Sequence, residues 1–301
     1  MSVIVPCYRS HETLRGLLEA LESELAGTGA EIIVADSSGD GEARRVSQAF
    51  PTVRVLESAR RMYPGEARNA GAAAARHPWL LFIDSDCLPA EGWGGTLRRL
   101  TVEGGGKVFA GAVRNGTPRS LRGSLQFYVE FSQFTPLTPR GARQFAPSYL
   151  LLVPREAFLA CGGFPGAYLS AEDLVFCLRL RDKGFDIEFI PEWSVLHLNR
   201  THFRVVFRHF GRLGFWSGRV RRHYPRMRGG WLRWCPFLIP LVSLQRWVRL
   251  LPRLARDRSA GACCRLAVLL LALPAYLAWG GGFTSGLYAS KPAEDSGAGR
   301  G

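Results

Sequence analysis

Little in this chain could staple a fold together from outside. Its seven cysteines, at 7, 87, 161, 177, 235, 263 and 264, form no CxxC pair and no other metal-ligand spacing, which argues against a zinc site and a disulfide framework. Neither a basic n-region nor an apolar h-region precedes the first hydrophobic run, "SVIVP". No signal peptide is therefore expected, and the bulk of the chain belongs in a reducing compartment. Internal repeats are absent, and so are low-complexity tracts apart from the alanine-rich "AGAAAA". Acid is missing over one long window. Between Leu198 and Arg258 there are fifteen arginines, no lysine and a single acid, Asp257, so this window carries the whole net charge of +14. The cluster leads into an apolar segment and contains no recognisable nucleic-acid reading motif. An anionic membrane surface is the expected partner, and nucleic acid is not.

What is present suffices for a folded domain. The 301 residues are 47% hydrophobic, enough for one large core and an appendage. "SVIVPCY" reads as a strand and "SHETLRGLLEALESEL" as an amphipathic helix with Ser10 at its N-cap. "EIIVAD", "EARRVSQAF", "TVRVLES", "PGEARNAGAAAARH" and "WLLFID" continue the alternation of strand and helix. That pattern predicts an α/β fold with a mainly parallel sheet covered on both faces, and such sheets bind ligands at the carboxyl ends of their strands. Further on, "KVFAGAV", "SYLLLVP" and "DIEFIPEWSVLHLN" read as strands, and "SLRGSLQFYVEFSQF" and "AEDLVFCLRLRDKGF" as helices. "WCPFLIPLVSL" is too short to cross a bilayer, which takes roughly 20 apolar residues. It is expected to lie in the interface with Trp231, Trp234 and Trp247 at headgroup depth. Residues 262–289 are long enough to span, although Pro274 and Gly280–Gly282 could fold them into a re-entrant hairpin.

Two carboxylates stand at the end of the apolar run in "LLFIDSDCLP". Acids one residue apart at a strand end can converge on Mg²⁺ or Mn²⁺, although an isolated Asp-Ser-Asp also makes an ordinary solvated turn. The context is more specific. "SVIVPCY", "EIIVADSSGDG", "GEARNAG", "LLFIDSDCLP" and "AEDLVFCLRLRDKGF" occur in the order and spacing of the family 2 glycosyltransferases, which the chain resembles over roughly residues 2–200.

The resemblance implies a GT-A fold, a nucleotide-diphosphate sugar donor and a Mn²⁺ or Mg²⁺ cofactor. It makes Asp86 the metal ligand and Asp84 a contact to the donor ribose or the metal shell. His197, at the end of a strand, is either a further metal ligand or a structural histidine. Pro6, Tyr8 and Asp36 would flank and hold the nucleobase. "DSSGDG" departs from the family's usual D-[DN]-G-S-x-D, however, and Pro6 and Tyr8 also fit a strand stop and a surface aromatic. Arg68 would lie near the donor, or else pair with a helix-side acid. Asp173 would be the general base that deprotonates the acceptor hydroxyl, with Glu172 supporting it, although two acids at a helix start also suit the helix dipole alone. In "LQRWVRL" the glutamine directly precedes Arg246 and Trp247, unlike the Q-x-x-R-W of processive synthases, so a polymer-extruding enzyme is not expected.

The expected organisation is a catalytic domain over 1–200, arginine-rich interfacial helices over 201–261, a membrane anchor over 262–289 and a flexible tail over 290–301. The expected activity is metal-dependent, inverting transfer from a nucleotide-sugar, a UDP-sugar first, to a lipid- or polyprenyl-phosphate-linked acceptor. The catalytic domain would face the cytosol at the inner membrane, because arginines flanking an apolar segment stay inside. A catalytically silent, membrane-bound nucleotide-sugar binder is the alternative.

Overall fold

The computed structural model describes residues 1–257 and 259–289, so the expected 290–301 tail lies outside the described residues. The alternation begins as the sequence predicts, with β1 (Ser2–Cys7), α1 (His11–Glu24), β2 (Glu31–Asp36), α2 (Glu42–Ser47), β3 (Val53–Glu57), α3 (Pro64–Ala74) and β4 (Trp79–Ile83). β1, β2 and β4 are nearly continuous apolar runs because both faces of a parallel sheet are covered. α1 turns Leu14, Leu17, Leu18 and Leu21 into the core. Ser10 precedes this helix but does not cap it, since its hydroxyl donates to the Tyr8 carbonyl. Pro64 opens α3, where its missing N–H deprives the helix of nothing. The four strands pair in parallel in the order β3-β2-β1-β4, so Tyr8, Asp36 and Asp84 all emerge from the same edge.

The sheet continues with β5 (Cys87–Pro89), α4 (Trp93–Glu103), β6 (Val108–Asn115), α5 (Leu121–Phe131), β7 (Gly141–Arg143), β8 (Leu150–Pro154), α6 (Arg155–Ala160), α7 (Glu172–Asp182) and β9 (Ile187–His197). The full order is β3-β2-β1-β4-β8-β6-β9-β5, with β7 also on β9. β8 runs antiparallel to β4 and β6, and β6 and β9 are parallel. β5 and β7 are each three residues long, too short to leave a period in the sequence. The pairing of β5 with β9 nevertheless matters, because it sets Cys87 opposite His197. Pro191 falls where the β6–β9 register slips, and the proline there breaks no ladder bond.

After the sheet come α8 (Phe203–His223), two short 3₁₀ turns (Gly230–Arg233 and Pro236–Leu238), α9 (Ile239–Arg256) and α10 (Ala262–Tyr288). α10 is one unbroken helix through Pro274 and Gly280–Gly282, with no hairpin. By length and composition it could cross a membrane. It does not stand apart from the domain, however. Val268, Ala272, Ala275 and Tyr276 belong to the same buried cluster as the sheet strands. α8 runs parallel to its C-terminal half, backbone against backbone. A methyl at Gly214 would overlap the Trp279 carbonyl, one at Gly282 the Gly211 carbonyl, and one at Gly286 the Phe215 carbonyl. α9 runs antiparallel on another side, where Ser243 Oγ donates to the Tyr276 carbonyl (3.0 Å) and Trp247 Nε1 to that of Leu269 (2.8 Å). Trp247 is thus turned onto α10, whereas Trp231 and Trp234 are exposed. α9 keeps Ile239, Ser243, Leu250 and Leu254 inward and exposes Leu241, Leu244, Val248 and Leu251. α10 likewise exposes Leu266, Leu270 and Leu277.

The glycine seam makes a direct prediction. Gly286→Leu forces α8 and α10 apart and should cost about 1–3 kcal/mol, as overpacking does. Denaturant unfolding of the full chain in neutral detergent measures it, with Gly281→Leu, whose added Cβ meets nothing within 4 Å, as the control. Equal loss in the two variants would mean that the seam is not tight.

Candidate active site

At the carboxyl edge of the parallel strands, Asp36 is buried and accepts both the Ser38 hydroxyl (2.6 Å) and the Ser38 N–H (3.2 Å) on one oxygen. The Tyr8 ring lies beneath the Arg61 guanidinium, 4.3 Å from the ring centroid, with Arg9 at 5.4 Å. Arg9 itself is held at φ 52, a conformation non-glycine residues seldom adopt. Pro6, Tyr8 and Asp36 stand at the carboxyl ends of the neighbouring strands β1 and β2, outside the main cleft.

That cleft, about 1160 Å³, is lined by Arg68, Asp84, Asp86, Glu172, Asp173 and His197. Arg68 is buried at its centre. Nη1 donates to Glu172 Oε1 (2.7 Å) and Nη2 to Asp84 Oδ1 (2.6 Å). Arg68 thus pairs with two acids, one at a strand end and one at a helix start. Burial alone would lower the guanidinium, but Asp84 and Glu172 outweigh it and hold it above its ordinary value. Glu172 is itself buried against Gly65, where a side chain would press on its Cγ. The glycine of "GEARNAG" thus allows α3 to close on α7.

Asp173 stands differently. Ala171, at φ 63, turns the chain sharply into α7, and among the described residues Asp173 Oδ1 accepts only the neighbouring Leu174 N–H (2.7 Å). Burial first, then the adjacent Glu172 charge, pushes its carboxyl up to about 7, with Arg68 opposing. Of the two acids at the helix start, one is committed to an arginine and the other is a weakly acidic group free on the cleft.

The strand pairing brings Asp86 and His197 together, with His197 Nε2 3.7 Å from Asp86 Oδ1. His197 Nδ1 lies 3.1 Å from Asn199 Oδ1, and the Asn199 amide in turn donates to Asn115, Thr117 and the His197 carbonyl. This bond orients the ring, leaving Nε2 to face Asp86. Asp86, Cys87 and His197 offer ligand atoms within 4.8 Å of one another. Burial, then the Asp86 and Asp84 charges, drive the Cys87 thiol well above its usual value in the metal-free protein, and hard Mn²⁺ or Mg²⁺ favours oxygen donors over sulfur. The oxygen and imidazole donors that remain fit a divalent ion such as Mn²⁺. Asp84 spends one oxygen on Arg68 and has the other left.

Sequence reasoning did not find Asn199, although an Asn two residues past a strand-end His is a visible signal. His209 received no role from the sequence. It lines the cleft bound to Glu130 (2.9 Å). Burial would raise the Glu130 carboxyl, but His209 and Gln126 hold it down at about 2.

The sequence model of the family described as "Glycosyl transferase family 2" matches residues 2–151. The chain belongs to the family 2 glycosyltransferases. Among its relatives is the pre-mycofactocin glycosyltransferase of Mycobacterium tuberculosis, 28% identical over 214 residues, which are 68% of this chain and 44% of that protein. The chain thus spans less than half the length of that relative. The glycosyltransferase AglE of Haloferax volcanii is 26% identical over 217 residues, 70% of each chain. In fold, the chain is similar to the mannosyltransferase PcManGT of Pyrobaculum calidifontis, solved with GDP-Man and Mn²⁺. The TM-score is 0.60 at 19% identity, covering 95% of this chain and 86% of that one. The nine-stranded sheet is that of a GT-A-like fold.

The state of Asp173 has a measurable consequence. Its ordinary pKa is 3.8 and the folded protein holds the proton up to about 7. A raised acid pKa means that the folded state binds more protons than the unfolded state across this interval. Stability from this group therefore falls as pH rises from about 4 to about 7 and then levels off. With divalent ions chelated, Asp173→Asn should melt higher than the parent at pH 8, and this advantage should shrink as the pH falls toward 4. A pH-independent difference would place Asp173 in water.

Proposed function

We propose that the protein is a metal-dependent, inverting glycosyltransferase, moving a sugar from a nucleotide-diphosphate donor, a UDP-sugar first, to a hydroxyl of a lipid-linked acceptor. The reading rests on one observation above the others. The Asp86–His197 pair and the uncommitted carboxyl of Asp173 face one cleft at the carboxyl edge of the sheet. Asp173 takes the proton of the acceptor hydroxyl. The hydroxyl oxygen bonds to the anomeric carbon from the side opposite the nucleotide, and the bond from that carbon to the diphosphate oxygen breaks. Asp86 and His197 would hold the cofactor, Mn²⁺ or Mg²⁺. When bound, this ion supplies positive charge against the leaving diphosphate. Arg68 keeps Asp84 and Glu172 in position, and Tyr8, Pro6 and Asp36 accommodate the base.

The membrane reading rests on the exposed apolar stripes of α9 and α10 and on the arginines around them. A spanning α10 would draw Arg246, Arg249 and Arg253 of the adjoining α9 into hydrocarbon, which is costly. We favour α9 and α10 lying in the cytosolic face of the bilayer, apolar side down, as amphipathic interfacial helices do. The acceptor is then a lipid within reach of the cleft.

Two variants test the assignment. Asp86→Ala should abolish Mn²⁺-dependent binding of the nucleotide diphosphate in calorimetry with the fold intact, and unchanged affinity would remove Asp86 from the metal site. Asp173→Asn should bind donor normally and lose transfer by about 10²–10⁴-fold, the usual cost of removing a general base. More than a tenth of parental turnover would move the role to another group.

A further inference from the structure

The cleft extends beyond the carboxylates. α8 presents His209, Leu213, Ser217 and Arg221 to it, four residues apart and hence along one stripe. His209 is at the acidic end, bound to Glu130, and Arg212 faces Glu130 and Glu172. Arg221 is at the other end, nine residues past Arg212 and so about 14 Å further along the helix axis. Arg221 Nη1 donates to the carbonyl and hydroxyl of Ser217 (3.0 and 2.7 Å) and Nε to the Arg228 carbonyl (2.9 Å). These bonds hold the guanidinium in place and leave Nη2 unused. From α9, Arg246 brings its guanidinium over the Trp279 ring, 4.1 Å from the centroid, with Tyr276 at 5.8 Å. Among the described residues neither arginine has an acidic partner.

Two desolvated cations held near each other without an acid are unfavourable alone. Burial, then Arg246, pushes Arg221 down to about 10, and burial with the nearby Arg253 and Arg249 lowers Arg246, Tyr276 opposing. An anion would relieve both, and forked guanidiniums suit phosphate oxygens. Trp279 and Tyr276, which line this end of the cleft, belong to α10, whose other side exposes Leu270 and Leu277. A phosphate held here is therefore close to the apolar face. It is not the attacking group. An alkyl phosphate, with a second pKa near 6, is already ionised at neutral pH and needs no base, whereas a hydroxyl does.

We propose that Arg221 and Arg246 form the acceptor's anion subsite, gripping the phosphate or diphosphate that joins its saccharide to lipid while a sugar hydroxyl attacks at Asp173. The identity of this anion as an acceptor group rests on the glycosyltransferase reading above.

The full chain in neutral detergent is titrated with farnesyl diphosphate, inorganic pyrophosphate and farnesol, once with UDP and Mn²⁺ saturating and once in EDTA. Farnesyl diphosphate should bind in both conditions and farnesol should not. Arg246→Gln and Arg221→Gln should each weaken binding at least tenfold, and Arg246→Lys, which keeps charge but loses the fork, should fall between. Asp86→Ala and Arg249→Gln, the latter outside the cleft lining, should leave it unchanged. Undiminished binding in Arg246→Gln and Arg221→Gln, or displacement of the probe by UDP and Mn²⁺, would overturn the proposal. Flotation with phosphatidylglycerol against phosphatidylcholine vesicles separates the other phosphate source. If both variants lose vesicle binding but keep farnesyl diphosphate binding, the arginines serve the membrane and the acceptor subsite is wrong. Failure of the parent to bind UDP with Mn²⁺ would instead sink the donor reading, and the anion result in EDTA stands apart from it.

Discussion

Arg68 is a buried cation held between Asp84, just past β4, and Glu172, at the start of α7. The cleft is built around it. α3, which carries Arg68, packs on β1, where a methyl at Gly71 would overlap Ile4, so the arginine is fixed to the centre of the sheet. From there it ties the strand-end acid to the start of α7. A buried pair of this kind is not a cheap stabiliser, because both charges leave water. Its value here is geometric. It neutralises two acids that would otherwise repel each other and Asp173, and it leaves Asp173 as the group whose charge is least compensated.

That arrangement gives the cleft two chemically opposite ends. At one end, carboxylates and an oriented imidazole are suited to a cation. At the other, Arg221 and Arg246, which among the described residues have no ion-paired acid, are suited to an anion. His209 and Glu130 pair at the acidic end. A substrate with a distal anion and a reactive hydroxyl would be aligned along this gradient, and that alignment reduces the entropy to be lost on reaching the reactive geometry.

The C-terminal helices are wall and support as well as membrane candidates. α10 is apolar all round, a composition that suits a span, yet its neighbours are α5, α8 and α9 of the same chain. Glycines let α8 lie against it at backbone distance, and Trp279 and Tyr276 project from it into the cleft. The surface that would touch lipid and the surface that lines the active cleft are two sides of one helix.

The sequence by itself determined the parallel half of the sheet, because long apolar runs alternating with amphipathic helices leave no other economical packing. It also determined the acids at the strand edge and at the start of α7, because Asp84, Asp86, Glu172 and Asp173 sit in locally recognisable contexts. Only the tertiary structure decided which acid is free. Arg68 is 104 residues from Glu172, and nothing local to either announces the pair. The approach of His197 to Asp86 depended on β5, three residues long and below the length at which periodicity registers. The role of α10 was likewise beyond the sequence, since hydropathy reports how apolar a helix is and not which partner covers it. Arg221 and Arg246 were visible only as members of a charge run. What sets them apart is a shared cleft and, among the described residues, the lack of an ion-paired acid, and that comes from two helices being folded against a third.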